Sequence, residues 1–248
     1  MLISKSAKAA KKNQSSYTVD GQIYVGREYI GIAPKPGSAE YGKTTAGADD
    51  SPQAYLVMQP PGSTTRPHFH QANQFQVFVG GGGTVGKART DPVTVQYAGG
   101  HTPYGPIVAE DRGIDYFTLR QKWDSGAKYL PASRDALNKG RQRQRLGVRT
   151  AGRDRPGDGE IIEETLIALE PDGLFGTHYA LAPGARTTMP DAAEGGGQYH
   201  VVLSGALIRD GEALPPLSIE FATPDEGGID IQAGAVGLEI LLLRFPRD

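Results

Sequence analysis

Two blocks of this chain recur at one spacing. Gln74-Phe-Gln-Val-Phe-Val-Gly-Gly resembles Gln198-Tyr-His-Val-Val-Leu-Ser-Gly, and Gly113-Ile-Asp-Tyr-Phe-Thr-Leu-Arg resembles Gly237-Leu-Glu-Ile-Leu-Leu-Leu-Arg, both pairs 124 positions apart. A shared offset in two separated blocks points to an internal duplication with one domain per half. The shorter pair Gln59-Pro-Pro-Gly62 and Ala182-Pro-Gly184 agrees once a gap or two is allowed.

The residues of the repeats also limit what each half can be. Apolar residues come in short β-branched or aromatic runs at Gln22–Ala33, Ala54–Gln59, Gln74–Val79, Val93–Tyr97 and Ile114–Arg120. They resume at Ile161–Leu169, Gly176–Leu181, Gln198–Leu203, Leu217–Phe221 and Leu238–Phe245. Gly, Pro, Asp and Ser clusters separate the runs, as in strands joined by turns. With 34 Gly, 18 Pro and 38% hydrophobic residues, a helical bundle is disfavoured. The 248 residues suffice for two domains of about 100–120 residues each. The expectation is an all-β chain of two tandem antiparallel domains.

The pattern divides the chain into a flexible basic arm (1–18), an N-terminal β-domain (19–125), a basic connector (126–158) and a C-terminal β-domain (159–248). Within the connector, Ser133–Arg145 reads as a short polar helix followed by a turn-rich stretch over 150–159. Residues 1–19 carry +4 and 131–155 carry +6, so a net charge of −2 leaves −12 on the rest. Basic segments around an acidic body could attract nucleic acid. No helix–turn–helix, aromatic platform or zinc-finger spacing accompanies them, and solvated segments are the expectation. No apolar run approaches a membrane span, and the N-terminus lacks the apolar centre of a secretory signal, which predicts a cytoplasmic location. Cysteine is absent, so any metal must be held by His, carboxylate or amide oxygen.

The stretch from Pro61 to Gly81 carries the chemistry. His68 and His70 stand at i and i+2 of a probable strand, so both imidazoles face one side, and Gln74 can return to the same point after a turn. This stretch resembles the first motif of the cupin superfamily: Gly62, His68, His70 and Gly81 fall at matching positions, and Gln74 stands where most metal-binding cupins carry Glu. The resemblance implies a bicupin of two jelly-roll barrels (double-stranded β-helices). It also implies one divalent transition metal, Fe, Mn, Ni or Zn, in the first barrel, held by His68, His70 and Gln74.

The second cupin motif normally adds one more His. The segment Tyr97-Ala-Gly-Gly-His101-Thr-Pro103-Tyr104-Gly105 admits two registers: Pro103-x-Gly105 puts Val108 at that position, and the other register makes His101 the third imidazole. We favour His101, because three of five histidines would then converge. Gln76, Phe78 and Tyr104 are expected around the substrate pocket. In the second half the 124-residue offset places Ala192 and Glu194 opposite His68 and His70, so the His pair is lost. Glu194, Gln198, His200 and Asp225 are expected to line a polar second-barrel pocket.

The leading functional expectation is a metal-dependent dioxygenase acting on a small aromatic or dicarbonyl compound. A metal-dependent sugar-acid isomerase is the enzyme alternative. A non-catalytic binding or sensing barrel is the alternative of another class, because a strand His pair can equally belong to a metal-free polar pocket. Two-domain cupins often pair, and exposed β edges give a physical reason to expect a homodimer.

Overall fold

A computed structural model describes residues 1–42, 51–138, 140, 142–150 and 156–247. The chain forms two compact units, one of residues 13–146 and one that joins residues 1–12 to residues 147–248. Each is built on one antiparallel sheet.

In the first unit the sheet runs Gln144–Val148 (which continues two residues past the unit's end at Leu146), Thr94–Ala98, Gln74–Val85, Ile107–Arg120, Gln53–Gln59, Gln22–Ile30, Gln14–Val19. A separate two-stranded ribbon pairs Lys128–Tyr129 with His68–Phe69. The long strands alternate. Phe78, Ile114 and Tyr116 pack inward with Val57, Tyr24 and Ile107, and each such large side chain removed from water contributes about 2–3 kcal/mol.

In the second unit the order is Leu2–Lys5, Ile219–Ala222, Gln198–Arg209, Asp230–Arg244, Phe175–Leu181, Ile161–Ile167. The duplication is visible strand by strand. Gln74–Val85 and Gln198–Arg209 are both 12 residues long, and each carries a left-handed glycine, Gly81 at φ +67° and Gly205 at φ +69°. A Cβ on Gly81 would collide with the Gly113 carbonyl, and one on Gly205 with the Gly237 carbonyl. These repeats therefore preserve the place where two long strands approach closely at a register shift.

Two sequence expectations are corrected. Residues 1–18 are not a flexible arm: Leu2–Lys5 pairs with Ile219–Ala222, Ser6 caps the turn of helix Ala7–Ala10, and Gln14–Val19 forms a hairpin with Gln22–Ile30. The hairpin turn is Asp20-Gly21, both at positive φ, as a two-residue turn of right-handed strands requires. Among the described residues the connector's helical content is a single 3-10 turn, Arg134–Ala136, and Gln144–Val148 is a sheet strand, so the described part of Ser133–Arg145 does not form the expected polar helix. The turn-rich residues 151–155 lie outside the described residues. No helix among them is long and apolar enough to cross a membrane.

Candidate functional site

The polar site of the first barrel grows from the short ribbon that carries the His pair. His68 exchanges backbone hydrogen bonds with Tyr104 (3.1 and 3.0 Å), which fixes the loop after Thr94–Ala98 against the His strand. Tyr104, His68, His70 and Gln74 are all buried, and a fifth group, the buried guanidinium of Arg120, comes from the end of Ile107–Arg120.

The hydrogen bonds run in one direction. Arg120 Nε and Nη2 donate to Gln74 Oε1 (3.2 and 3.0 Å), and Gln74 Nε2 donates to the Tyr104 hydroxyl at 2.5 Å. That hydroxyl lies 2.8 Å from His68 Nε2, while His68 Nδ1 lies 2.7 Å from the Arg66 carbonyl. A guanidinium only donates and a carbonyl only accepts. His68 therefore carries its proton on Nδ1, Tyr104 donates to His68 Nε2, and the Gln74 amide oxygen faces Arg120.

His70 is oriented by Asp124. Its Nδ1–H donates to Asp124 Oδ1 at 2.8 Å, and the same carboxylate accepts from the backbone N–H groups of Gln71 (2.8 Å), Ala72 (3.2 Å) and Gly126 (2.8 Å). Arg120 Nη2 is 3.0 Å from Nδ1 and 3.3 Å from Nε2 of His70. Being nearly equidistant from both ring nitrogens, it lies over the ring face. A further Arg120 donor meets Gln53 Oε1.

Electrostatics keep both imidazoles neutral. Burial, then the His70 ring, lowers His68 to about 3, and burial, then Arg120, lowers His70 to about 4 against the pull of Asp124. For Asp124 burial acts upward, but His70 and Arg120 outweigh it and hold the carboxyl well below its usual range. Burial raises the Tyr104 phenol, which stays protonated.

Above this floor opens a cavity of about 90 Å³. Seven of the eleven tyrosines line it, among them Tyr17, Tyr24, Tyr55, Tyr116 and Tyr129. Tyr17 and Tyr24 stack at 5.9 Å, and Arg66, paired with Asp20, covers the Tyr129 ring at 4.6 Å. Gln76 and Thr118 lie on the wall. Gln76 Oε1 and both polar atoms of its cross-strand neighbour Gln96 meet no partner among the described residues. Phe78 lies in the core, packed on Tyr116 at 5.3 Å.

The structure corrects the second-motif reading. His101 does not enter the site: at φ +58° it turns the chain, its Nδ1 accepts the Asn138 N–H at 3.1 Å, and its ring stacks on Phe69. Tyr104, three residues on, fills the position beside His68. The expected second-barrel set also separates. Gln198 and His200 are buried together (Nε2 to Nε2 3.2 Å), with His200 Nδ1 3.5 Å from Glu220, a residue the sequence reading omitted. Glu194 instead pairs with Arg244 at 2.5 Å, and Asp225 is exposed beside Thr223. Arg120 and Asp124 were also missed, although Arg120 closes the repeated block that matches Arg244.

No family model matches the chain, and no curated protein matches it. Solved structures do. Pirin YhhW from Escherichia coli, solved in complex with nickel(II), aligns at TM-score 0.56 with 13% identity over 100% of both chains. This is a bicupin fold. Oxalate decarboxylase from Bacillus subtilis, with Mn(II) centres, aligns at TM-score 0.56 and 11% identity over 100% of this chain and 78% of that one. Salicylate 1,2-dioxygenase from Pseudoaminobacter salicylatoxidans aligns at TM-score 0.50 and 16% identity over 86% and 75%.

A divalent metal does not fit the first-barrel donors as they stand. The His68 lone pair is taken by the Tyr104 hydroxyl, Gln74 turns N–H rather than oxygen toward that point, and the phenol is neutral. The permanent charge of Arg120 lies against His70, and the described residues hold no group of three His, Cys, Asp or Glu able to share an ion.

Proposed function

We propose that the first barrel is a binding site for a small, planar, uncharged aromatic molecule. The observation that carries this reading is the tyrosine-walled cavity over a floor of neutral imidazoles and phenol. Aromatic walls gain by stacking and by burying a ring, and the unpartnered Oε1 of Gln76 on the wall would gain from a ligand, or a ligand-held water, that donates a hydrogen bond to it. At the floor the charges of Arg120 and Asp124 offset one another, which favours an uncharged ring at that end, while Arg27, Glu28 and Lys35 line the cavity elsewhere.

The test is thermal stability and calorimetry against a panel of neutral heteroaromatic lactams and phenols with benzoate and salicylate as charged controls. A saturating ligand at about 100 times its Kd adds about 2.7 kcal/mol, a readily measured rise in melting temperature. The rise should vanish in Val57→Trp, which fills the cavity. Absence of any hit across the panel refutes the reading.

A second reading has one observation behind it. Both site imidazoles are held as Nδ1–H tautomers by outer partners, Arg66 carbonyl and Asp124, which makes Nε2 the nitrogen that would ligate a metal once the Tyr104 hydroxyl moved off His68 and Arg120 off His70. Joined to the likeness to salicylate 1,2-dioxygenase, it supports a metal-dependent dioxygenase acting on a small aromatic or dicarbonyl compound, with Fe, Mn, Ni or Zn. Oxygen uptake with catechols and diketones under added Fe(II), abolished in His68→Ala, would favour it over the binding barrel. A homodimer in the cytoplasm remains part of the proposal, and light scattering of the purified protein tests the pairing.

A further inference from the structure

We infer that the Gln74–Arg120 pair locks this barrel in a metal-independent state, with the guanidinium serving as the site's resident cation. The inference goes beyond the binding reading and does not depend on which ligand the cavity takes. Three features on one set of atoms carry it. Arg120 is fully buried and donates twice to Gln74 Oε1, so the oxygen at this position is committed to the guanidinium. Gln74 then presents its amide N–H inward, which orients the Tyr104 hydroxyl onto the His68 lone pair. Arg120 Nη2 also lies over His70, so a divalent ion at that nitrogen would face a fixed positive charge at short range.

The two residues depend on one another. Glu at position 74 beside Arg120 would form a closed ion pair, and Gln at position 74 without Arg120 would be free to turn its oxygen inward. Only a carboxylate at 74 together with a neutral side chain at 120 leaves two imidazoles and an anion directed to one point. The arginine is also held independently of Gln74, by Gln53 and by the Tyr55 ring at 5.5 Å, so it is a built part of the barrel.

The test compares untagged full-length wild type, Gln74→Glu, Gln74→Glu/Arg120→Met and the same double variant with His70→Ala. Each is incubated with Ni(II) or Mn(II), or with Fe(II) under anaerobic conditions, desalted, and its metal content measured with circular dichroism as a check on folding. Wild type and Gln74→Glu should retain less than about a tenth of an equivalent. The double variant should retain about one, lost again with His70→Ala, as expected of a three-donor site. Should the double variant not fold, wild type still decides. In that protein the melting temperature must be the same in EDTA and in excess Ni(II), and the ring nitrogen resonances of His68 and His70 must be unmoved by added metal. One equivalent of tightly held metal in wild type, lost in His68→Ala/His70→Ala, overturns the inference, as does a folded double variant that takes up no metal. Neither outcome bears on whether the EDTA-treated protein binds the aromatic panel, so the two proposals fail separately.

Discussion

Lowering the pH from 7.5 to 5 should destabilise the first barrel by about 4 kcal/mol through His68 and His70 alone. Both imidazoles are neutral when folded, at about 3 and about 4, because burial opposes protonation and so, next, does the His70 ring beside His68 and Arg120 beside His70. In the unfolded chain each returns to about 6.5. Between these limits the unfolded state binds more protons, so stability rises with pH. The contribution is complete above about pH 6.5 and is lost as pH falls toward the folded values. At pH 5 each histidine costs about 2 kcal/mol, a figure that barely changes for any folded value below about 4.5. The assay is urea unfolding followed by tryptophan fluorescence. The single tryptophan, Trp123, belongs to the first unit, with its indole N–H bonded to the Ile32 carbonyl, so the signal reports that barrel. Other groups also titrate in this range, and the His68→Asn/His70→Asn variant isolates the imidazole share as the difference in pH slope. A wild-type loss under about 1 kcal/mol, or an unchanged slope in the variant, would refute the reasoning.

Three further perturbations read the same framework. Tyr104→Phe removes the hydroxyl that links Gln74 to His68 and should cost about 1–3 kcal/mol in the same assay, because two buried groups lose a partner. Asp124→Asn reduces the acceptors that hold His70 and three backbone N–H groups. It should cost about 3 kcal/mol and mix the His70 tautomers, seen as averaged ring nitrogen shifts. Gly81→Ala and Gly205→Ala each place a Cβ against a facing carbonyl at positive φ, and each should cost more than about 2 kcal/mol, Gly205→Ala without altering the tryptophan transition of the first barrel.

What could be read from the sequence is what is local or repeated. The i, i+2 spacing of His68 and His70 needs only the strand period, and the 124-residue offset returns in the paired 12-residue strands and their glycines. What escaped is non-local. Leu2–Lys5 is a strand because it pairs with Ile219–Ala222, and its Ser4 hydroxyl bonds Glu220 across 216 positions. Arg120 is stabilised by Gln53 and Gln74, 67 and 46 positions away. Counting histidines favoured His101, whereas the left-handed turn at that residue decides which side chain reaches His68. The matching arginines at the ends of the repeats were the available sign of Arg120, since a charged residue closing an apolar block twice is more readily explained by a buried partner than by solvent.

The repeat also shows what the site costs. Phe78, Tyr116 and Thr118 of the first barrel correspond through the same offset to Val202, Ile240 and Leu242, which pack with Leu181 and Leu207 into an aliphatic core. The cross-strand pair Gln76–Gln96 corresponds to His200–Glu220, whose carboxylate is held by Arg209 at 2.8 and 2.9 Å and by Ser4 at 2.7 Å. The second barrel has thus converted these positions to apolar packing and a buried carboxylate neutralised by Arg209. The first leaves Gln76 Oε1 without a partner among the described residues on the wall of a cavity, a condition that folding alone disfavours by about 1–3 kcal/mol. Both copies keep a buried amide oxygen without a partner among the described residues, Gln76 Oε1 in the first and Gln198 Oε1 in the second; what sets the first apart is that Gln76 lines the tyrosine-walled cavity, and the proposed binding site rests on that cavity.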